Sequence, residues 1–568
     1  GKAGQGLQTI GGVLAKVFSR KGYHVFTHQD YMSRVRGGHN YYQLRVSDRN
    51  IMASREKVDL LLALDLETIL RHKTALLEKG LVLYDSESLK KSFEGPAFFD
   101  LPLAKIALET GKQKVMSNSV ALGAIHGLLG LELDTLEAIL NRTFAKKGDE
   151  VIQKNLACAK AGFAYVKKQC KGCEHFEFSP PVGQGTGFLL LNGLQAIGLG
   201  ALMSGCKFYS AYPMTPSTGI MNFLASKAAQ YGIIVEQAED ELAAINMALG
   251  ASFAGVRAMT GSSGGGFALM NEGLSLAAMT ETPLVIAEVQ RPGPATGLPT
   301  RTEQGDLLFV LHAGHGEFPR VVFAPGTPKQ AFYLSNKAFE LAEKYQIPAF
   351  VLADQYLGDS EWTYKELESD NLLYNDYRLR EKDLEEGFEY KRHAYSPTGI
   401  SLLAVPGEVG KQLVVTDSDE HDEEGHLIED AETRVRMVQK RLLKKLPEIR
   451  KEMEAPCHYG AADPEILLVG FGSTYGVLKE VVDLLSKNKK AAMLHFSEVY
   501  PLPEPEKGDY LKLLKSGTLT ISVENNATGQ FAKLLRAELG FEFSQRINRY
   551  DGRPFTVESL QEKVHALF

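Results

Sequence analysis

Cysteine is scarce, with five in 568 residues. That excludes a disulfide framework and points to a reducing compartment, so a cytoplasmic location is expected. One CxxC pair, Cys170 and Cys173 in KKQCKGCEHF, has no second pair to complete a four-ligand site, and Cys158, Cys206 and Cys457 are scattered. Structural or incidental thiols are expected, not a metal or cluster site. Excess positive charge is missing too. A net charge of -7 gives no reason to expect nucleic acid as a partner. No apolar stretch is continuous enough for a membrane span. The long uncharged run from Phe178 to Cys206 is broken by Asn192, Gly193, Gln195, Gly198 and Gly200. It reads as a strand, GFLLLNG, followed by a helix, LQAIGLGALMSG. No fixed-period repeat and no signal peptide is legible. The abrupt start on a glycine loop leads us to expect further residues before Gly1.

What is present is a globular composition, 44% hydrophobic and 23% charged, with 54 glycines. The chain is too long for one core, and strand, helix and glycine-turn patterns alternate along it, so a multidomain α/β protein is expected. Four regions are expected. Residues 1–182 open with GKAGQG and carry a helix, GGVLAKVFSRKG, and strands YHVFTHQD and VDLLLALD, suggesting a parallel sheet. Residues 183–405 repeat the strand, helix and turn alternation. Residues 406–458 are charged, with TDSDEHDEEGH before a helix from Ala431 to Met453. Residues 459–568 hold two strand–turn–helix units, EILLVGFGSTYGVLKEVVDLL and LTISVENNATGQFAKLLRAELG. The acidic run Asp417 to Glu424 is a solvated linker or surface loop, or a divalent cation site; like-charge blocks usually stay hydrated.

Several stretches carry potential chemistry. In GKAGQG, closely spaced glycines before a helix let backbone N–H groups approach a phosphate, or simply make a tight turn. SRVRGGHN adds Arg34 and Arg36 beside two glycines, a second anion-contacting loop or an ordinary hairpin. In VEQAEDELAAINMALGASFAG three acids, Glu239, Asp240 and Glu241, sit where a strand hands over to a helix. The helix dipole welcomes acids there, and a carboxylate at such a helix mouth also serves as a fixed acid/base. Arg291 follows the apolar strand PLVIAEV and precedes a proline- and glycine-rich turn. The carboxyl ends of parallel strands are where α/β sheets bind ligands, and a guanidinium suits a carboxylate bidentately; a surface salt bridge is the alternative. TGSSGGG, Thr260 to Gly266, is a cofactor-facing turn or a plain connection, without a Walker lysine.

YPMTPSTG, QAEDELAAINMALGASFAGVRAMTGSSGGG, RPGPATGLPTRTEQGDL and AGHGEFPR together resemble the alpha subunit of 2-oxoacid:ferredoxin oxidoreductases, which are thiamine diphosphate enzymes. GKAGQG with SRVRGGHN is similar to that family's gamma subunit, here fused in front, and VENNATGQ resembles its transketolase-C-like domain. The pattern looks most like the 2-oxoglutarate type. It departs from the family's RGGPSTG run by carrying Pro292 and Ala295, while Thr296 is kept.

The resemblance implies a gamma-type domain, a pyrimidine-type thiamine diphosphate domain, a charged linker and helix, and a transketolase-C-like domain over the four regions. It implies that Glu241, with Glu239 in reserve, meets N1′ of the thiamine aminopyrimidine. A carboxylic acid there favours the 4′-imino tautomer that takes the C2 proton. Pro213 and Pro216 would fix the turn. Thr215 would offer its hydroxyl to the substrate, and Arg291 would neutralise its carboxylate. Gly4, Gly6 and Arg36 are candidates for the phosphates of coenzyme A. GDLL, GDEV, GDSE and GDYL all lack the third glycine of a diphosphate/Mg²⁺ segment. A separate beta subunit is therefore expected to supply Mg²⁺ and the [4Fe–4S] cluster, leaving the isolated chain inactive. The implied reaction is oxidative decarboxylation of 2-oxoglutarate to succinyl-CoA and CO₂ with reduction of ferredoxin, or its reverse. Expected partners are the beta subunit, in a dimer of alpha–beta heterodimers, and ferredoxin, with no nucleic acid and no membrane. Alternatives are the same machinery acting on pyruvate or a branched 2-oxoacid, and a non-catalytic nucleotide-binding scaffold.

Overall fold

The computed structural model describes residues 1–34, 36–170, 188–516 and 519–568. Cys173 lies outside them. The chain divides into two compact units. One comprises Gly1–Leu191 with Ser360–Glu366 and Thr556–Ser559, the other Asn192–Asp359, Leu367–Phe555 and Leu560–Phe568. Both are α/β. Among the described residues no helix is long and apolar enough to cross a membrane.

In the first unit the GKAGQG loop leads into the helix Leu7–Arg20, with Gly6 as its N-cap at φ +82°. A Cβ on Gly6 would lie 1.9 Å from Nδ2 of Asn118, so a larger residue would have to displace that side chain as well as adopt a left-handed dihedral that favours glycine. The sheet here is not the parallel one expected. His24–Asp30 pairs antiparallel with Tyr41–Ser47 and with Glu361–Tyr364. The short run between the first two strands leaves no room for the crossover helix that parallel pairing needs. A separate three-stranded sheet, Val58–Ala63, Leu76–Tyr84 and Phe98–Asp100, is parallel.

The helices Ser117–Leu128 and Asp149–Gln169 pack through glycines. A Cβ on Gly123 would sit 1.8 Å from the carbonyl oxygen of Ala159, and one on Gly162 would sit 2.1 Å from that of Val120. Alanine normally gains up to about 1 kcal/mol over glycine in a helix. Here a rigid backbone blocks it, and overpacking costs about 1–3 kcal/mol. Gly123→Ala is therefore expected to destabilise this unit, lowering the denaturant midpoint. The control Gly12→Ala, with no atom within 4 Å of its Cβ, should not.

The second unit is built on a seven-stranded sheet. Its strands are β1 (Phe208–Ala211), β2 (Ile234–Gln237), β3 (Ala258–Ser262), β4 (Leu284–Gln290), β5 (Val321–Phe323), β6 (Pro348–Asp354) and β7 (Glu498–Tyr500). The order is β7-β5-β6-β4-β3-β1-β2. All pairings are parallel except β5 with β7. β4 and β6 are buried along their whole length, as helices on both faces require of apolar parallel strands. The two predicted strand–turn–helix units near the C-terminus form, as Ile466–Phe471 with Tyr475–Leu485 and Leu519–Glu524 with Gln530–Leu539. VENNATGQ is locked down by Glu524, whose buried carboxylate accepts from the backbone of Phe531 and Ala532 and from Ser522 and Asn526.

The acidic run is not a free linker. His421 is fully buried, and Glu420 pairs with Arg434 and Arg441. Paired charges pack where unpaired ones stay hydrated. No group of three or more His, Cys, Asp or Glu side chains among the described residues is arranged to hold a metal ion.

Candidate active site

Four neighbouring strands end on one edge of the sheet, and the expected site residues stand at those ends. β1 runs into the SAYPMTPSTG turn, β2 into the three acids, β3 into the Ser263–Gly266 turn, and β4 into Arg291. This carboxyl edge is the usual ligand crevice of parallel α/β sheets.

The three acids part company. Glu239 is exposed. Asp240 caps the helix Glu241–Phe253, accepting from the backbone of Ala243 at 2.7 Å. Glu241 is the first helical residue and only 3% exposed. Its Oε1 accepts from Oγ of Ser262 at 3.1 Å, while Oε2 makes no hydrogen bond among the described residues. Gly266 explains how the carboxylate is accommodated. A Cβ there would fall 2.1 Å from both Glu241 Oε1 and Ser262 Oγ, so only glycine lets the turn close over the acid. Ser263 adds a buried hydroxyl with no partner among the described residues.

Arg291 donates through Nη1 to the carbonyl oxygen of Thr215 at 2.7 Å. The proline turn and the arginine expected to meet one substrate are thus joined, with the Thr215–Pro216 peptide cis. Nε of Arg291 is buried without a hydrogen-bond partner among the described residues. Pro213 is half-buried at the same turn and Tyr212 is 40% exposed beside it. The Pro292–Gly297 turn carries Ala295 at φ +55°, a conformation costly for a residue with a Cβ.

Two acids escaped the sequence reading. Glu288 is on β4, fully buried, with neither carboxylate oxygen hydrogen-bonded to an N–H or hydroxyl among the described residues. Asp306 lies beside it, and the two carboxyls meet each other. Burial, then the Asp306 charge, raises Glu288 well above the usual carboxylate range. Burial pushes Asp306 to about 6, with Glu288 and Arg291 opposing. Burial likewise raises Asp354 at the end of β6. The signal was in the sequence: an acid inside the otherwise apolar PLVIAEV is anomalous for a fully buried strand.

In the other unit, the two glycine loops expected to act together do meet. Ala3 and Gly37 form an isolated antiparallel bridge, with the Ala3 N–H on the Gly37 carbonyl oxygen at 3.3 Å. Gly4 stands at φ +87° with open space where a Cβ would be, and Arg36 is exposed.

Known proteins place this arrangement. Residues 199–440 match the thiamine-diphosphate-binding family of pyruvate flavodoxin/ferredoxin oxidoreductases, and residues 1–165 match the pyruvate ferredoxin/flavodoxin oxidoreductase family. A 2-oxoacid:ferredoxin oxidoreductase alpha subunit from Sulfolobus is 32% identical, over 99% of this chain and 95% of the relative. The 2-oxoglutarate oxidoreductase subunit KorA of Mycobacterium tuberculosis is 27% identical, over 100% of this chain and 90% of that one. The 2-oxoglutarate:ferredoxin oxidoreductase of Magnetococcus marinus, solved with 2-oxoglutarate, coenzyme A and succinyl-CoA bound, superposes with a TM-score of 0.91 at 30% identity. It covers 100% of this chain and 98% of its own. A thiamine-type domain with a buried glutamate at its carboxyl edge, in a chain aligned end to end with such relatives, belongs to the alpha subunits of the 2-oxoacid:ferredoxin oxidoreductases, enzymes that work with thiamine diphosphate and ferredoxin.

Proposed function

We propose that this chain is the alpha subunit of a CoA-acylating 2-oxoglutarate:ferredoxin oxidoreductase, converting 2-oxoglutarate to succinyl-CoA and CO₂, or running the reverse carboxylation. The observation that carries the site is Glu241, a carboxylate 3% exposed at the carboxyl edge with Arg291 tied to the Thr215 turn two strand ends away. The substrate choice is supported by relatives named for 2-oxoglutarate.

The residues present fit the cofactor. Glu241 has one oxygen held by Ser262 and the other uncommitted, and Gly266 leaves the backbone close against it. Thiamine diphosphate supplies a carbon nucleophile toward the 2-oxo carbon and an electron sink for loss of CO₂. Glu241 holds the aminopyrimidine N1′ and its proton. Ser262 fixes the Glu241 rotamer, so the carboxylate is oriented before the cofactor arrives. Arg291, with its Nε free, takes the substrate carboxylate, and Thr215 presents its hydroxyl from the proline-stiffened turn. Pro213 borders the cofactor on the pyrimidine side.

Gly4, Gly6 and Arg36 would meet coenzyme A phosphates, because backbone N–H groups at a helix start and an exposed guanidinium favour them. A beta subunit would bring Mg²⁺ and the [4Fe–4S] cluster, in a cytoplasmic dimer of alpha–beta heterodimers. The test is a panel of 2-oxoacids on the complex co-purified with its partner, with ferredoxin or a viologen as acceptor. 2-Oxoglutarate should give the highest kcat/KM; a higher value for pyruvate or a branched 2-oxoacid overturns the substrate assignment. In the same assay Arg291→Ala should lower kcat/KM by an amount equivalent to roughly 2–4 kcal/mol, the cost of stripping one partner from a buried charge pair. Wild-type turnover at low substrate in that variant removes Arg291 from the site.

A further inference from the structure

We infer that Glu288 and Asp306 share one proton and form a charge-compensating pair for Arg291, so that docking of an anionic 2-oxoacid on Arg291 draws a second proton from solvent onto the pair. The inference rests on Arg291 being the carboxylate anchor.

Glu288 is 0% exposed and, among the described residues, neither of its oxygens is hydrogen-bonded to an N–H or hydroxyl. An ionised carboxylate is not tolerated in that condition. The neighbouring carboxyl of Asp306 can satisfy it, provided a proton lies between them; two adjacent carboxylates do not both ionise. Oδ2 of Asp306 is itself buried without an N–H or hydroxyl partner. The Gly264 backbone presses on that carboxyl, where a Cβ would lie 2.6 Å from Oδ2. The backbone N–H of Asp306 donates to Oε1 of Gln290 at 3.0 Å. The pair is therefore positioned by glycine and glutamine, not by cations.

The charges facing the pair are few. Arg291 follows β4, Glu303 sits on the same loop as Asp306, Asp354 ends β6, and Glu241 stands beyond Ser262. Arg291 is the single cation acting on Asp306 among them. With one shared proton, the pair carries one negative charge against the one positive charge of Arg291. A substrate carboxylate cancels Arg291 and leaves the pair uncompensated in a buried site. The balance is restored when the pair takes up H⁺, giving a complex that is the sum of enzyme, 2-oxoacid anion and one proton.

The sign follows. Asp306 titrates near 6 in the free site, and the substrate anion raises that value. Below pH 6 the pair is fully protonated with or without substrate, so binding is insensitive to pH. Above 6 binding takes up a proton and weakens, by up to tenfold per pH unit, until the pH passes the raised value.

The experiment measures kcat and KM for 2-oxoglutarate, with pyruvate as a second arm, from pH 5.5 to 8.5 on the wild-type complex, Asp306→Asn, Glu288→Gln and Arg291→Ala. Wild type should show a KM that rises above pH 6. In Asp306→Asn that limb should vanish. Glu288→Gln keeps a donor to Asp306 and holds it ionised, so its limb should begin at lower pH; this variant carries the test should Asp306→Asn fail to fold. A wild-type KM flat across the range, or the same limb in all three acid-site proteins, overturns the inference. If Arg291→Ala leaves KM untouched, the anchor itself is wrong; if Arg291→Ala raises KM while the wild-type protein shows no limb, only the shared proton is wrong.

Discussion

Glu241→Gln is expected to lower kcat of the assembled enzyme by ~10²- to 10⁴-fold, the range for losing a positioned acid/base group, while the fold persists. The substitution keeps size and a hydrogen-bonding oxygen for Ser262, whose 3.1 Å contact orients the side chain. What disappears is the exchangeable carboxyl proton at the one uncommitted oxygen. Stability should change little, because the acid at the first helical position contributes only about 0.3–1 kcal/mol through the helix dipole, and Asp240 keeps the cap. Turnover with a viologen acceptor, read beside thiamine diphosphate affinity and the thermal midpoint, separates the effects. Retention of wild-type kcat would falsify the assignment. A loss of kcat accompanied by a collapse of the thermal midpoint would mean that Glu241 is structural. Glu239→Gln is the matched control: that side chain is exposed and its substitution should leave kcat alone.

The contrast between these two glutamates shows what the sequence could convey. The position of the candidate residues at strand ends was legible, because strand, turn and helix patterns are local; Thr215, Glu241 and Arg291 all sit just beyond the ends of β1, β2 and β4. Which of three adjacent acids is buried was harder to read, since it depends on one residue of helical phase and on Gly266 twenty-five positions away. The Arg291 contact to the Thr215 carbonyl oxygen spans 76 residues and leaves no local mark. Glu288 reads as part of an apolar strand for the same reason: its partner Asp306 is supplied by a loop. The antiparallel Glu361–Tyr364 strand was invisible because its partner, His24–Asp30, lies more than 300 residues earlier. Pattern reports which element forms; tertiary pairing decides which groups it faces.

The same limit hid a buried ion cluster, and it yields the last large expectation. Glu281→Gln should destabilise the second unit by about 3–5 kcal/mol, the cost of removing one partner from a buried ion cluster. Glu281 is 1% exposed and accepts from Lys440 and Lys445, themselves 0% and 1% exposed, and contacts Nδ1 of His393 at 3.1 Å. Its backbone sits at φ +49°, held there by Arg392, which donates to its carbonyl oxygen at 2.6 Å. The two lysines are five residues apart and reach one carboxylate because Gln439–Lys444 is a π-turn inside the helix. Its i→i+5 pattern brings onto one face residues that an α-helix would splay apart. Burial alone would raise the Glu281 carboxyl, yet Lys440 and Lys445 hold it well below the usual carboxylate range. Its contribution is therefore present above the unfolded carboxylate value of about 4.5 and fades as pH falls toward the depressed folded value. Burial lowers Lys440 to about 7, so the unfolded chain binds more protons between 7 and the free lysine value, and stability rises with pH in that window. With His393 held neutral by burial, one carboxylate faces two ammonium groups. Removing the acid strands both cations, whereas Lys440→Met leaves a balanced pair with Lys445 and should cost less. Urea midpoints of the two variants at pH 6, and of Glu281→Leu combined with Lys440→Met and Lys445→Met, decide the matter. The triple variant should recover most of the loss, as apolar replacement of a buried ion cluster does. Equal midpoints for Glu281→Gln and Lys440→Met would show that the charge count does not govern this joint.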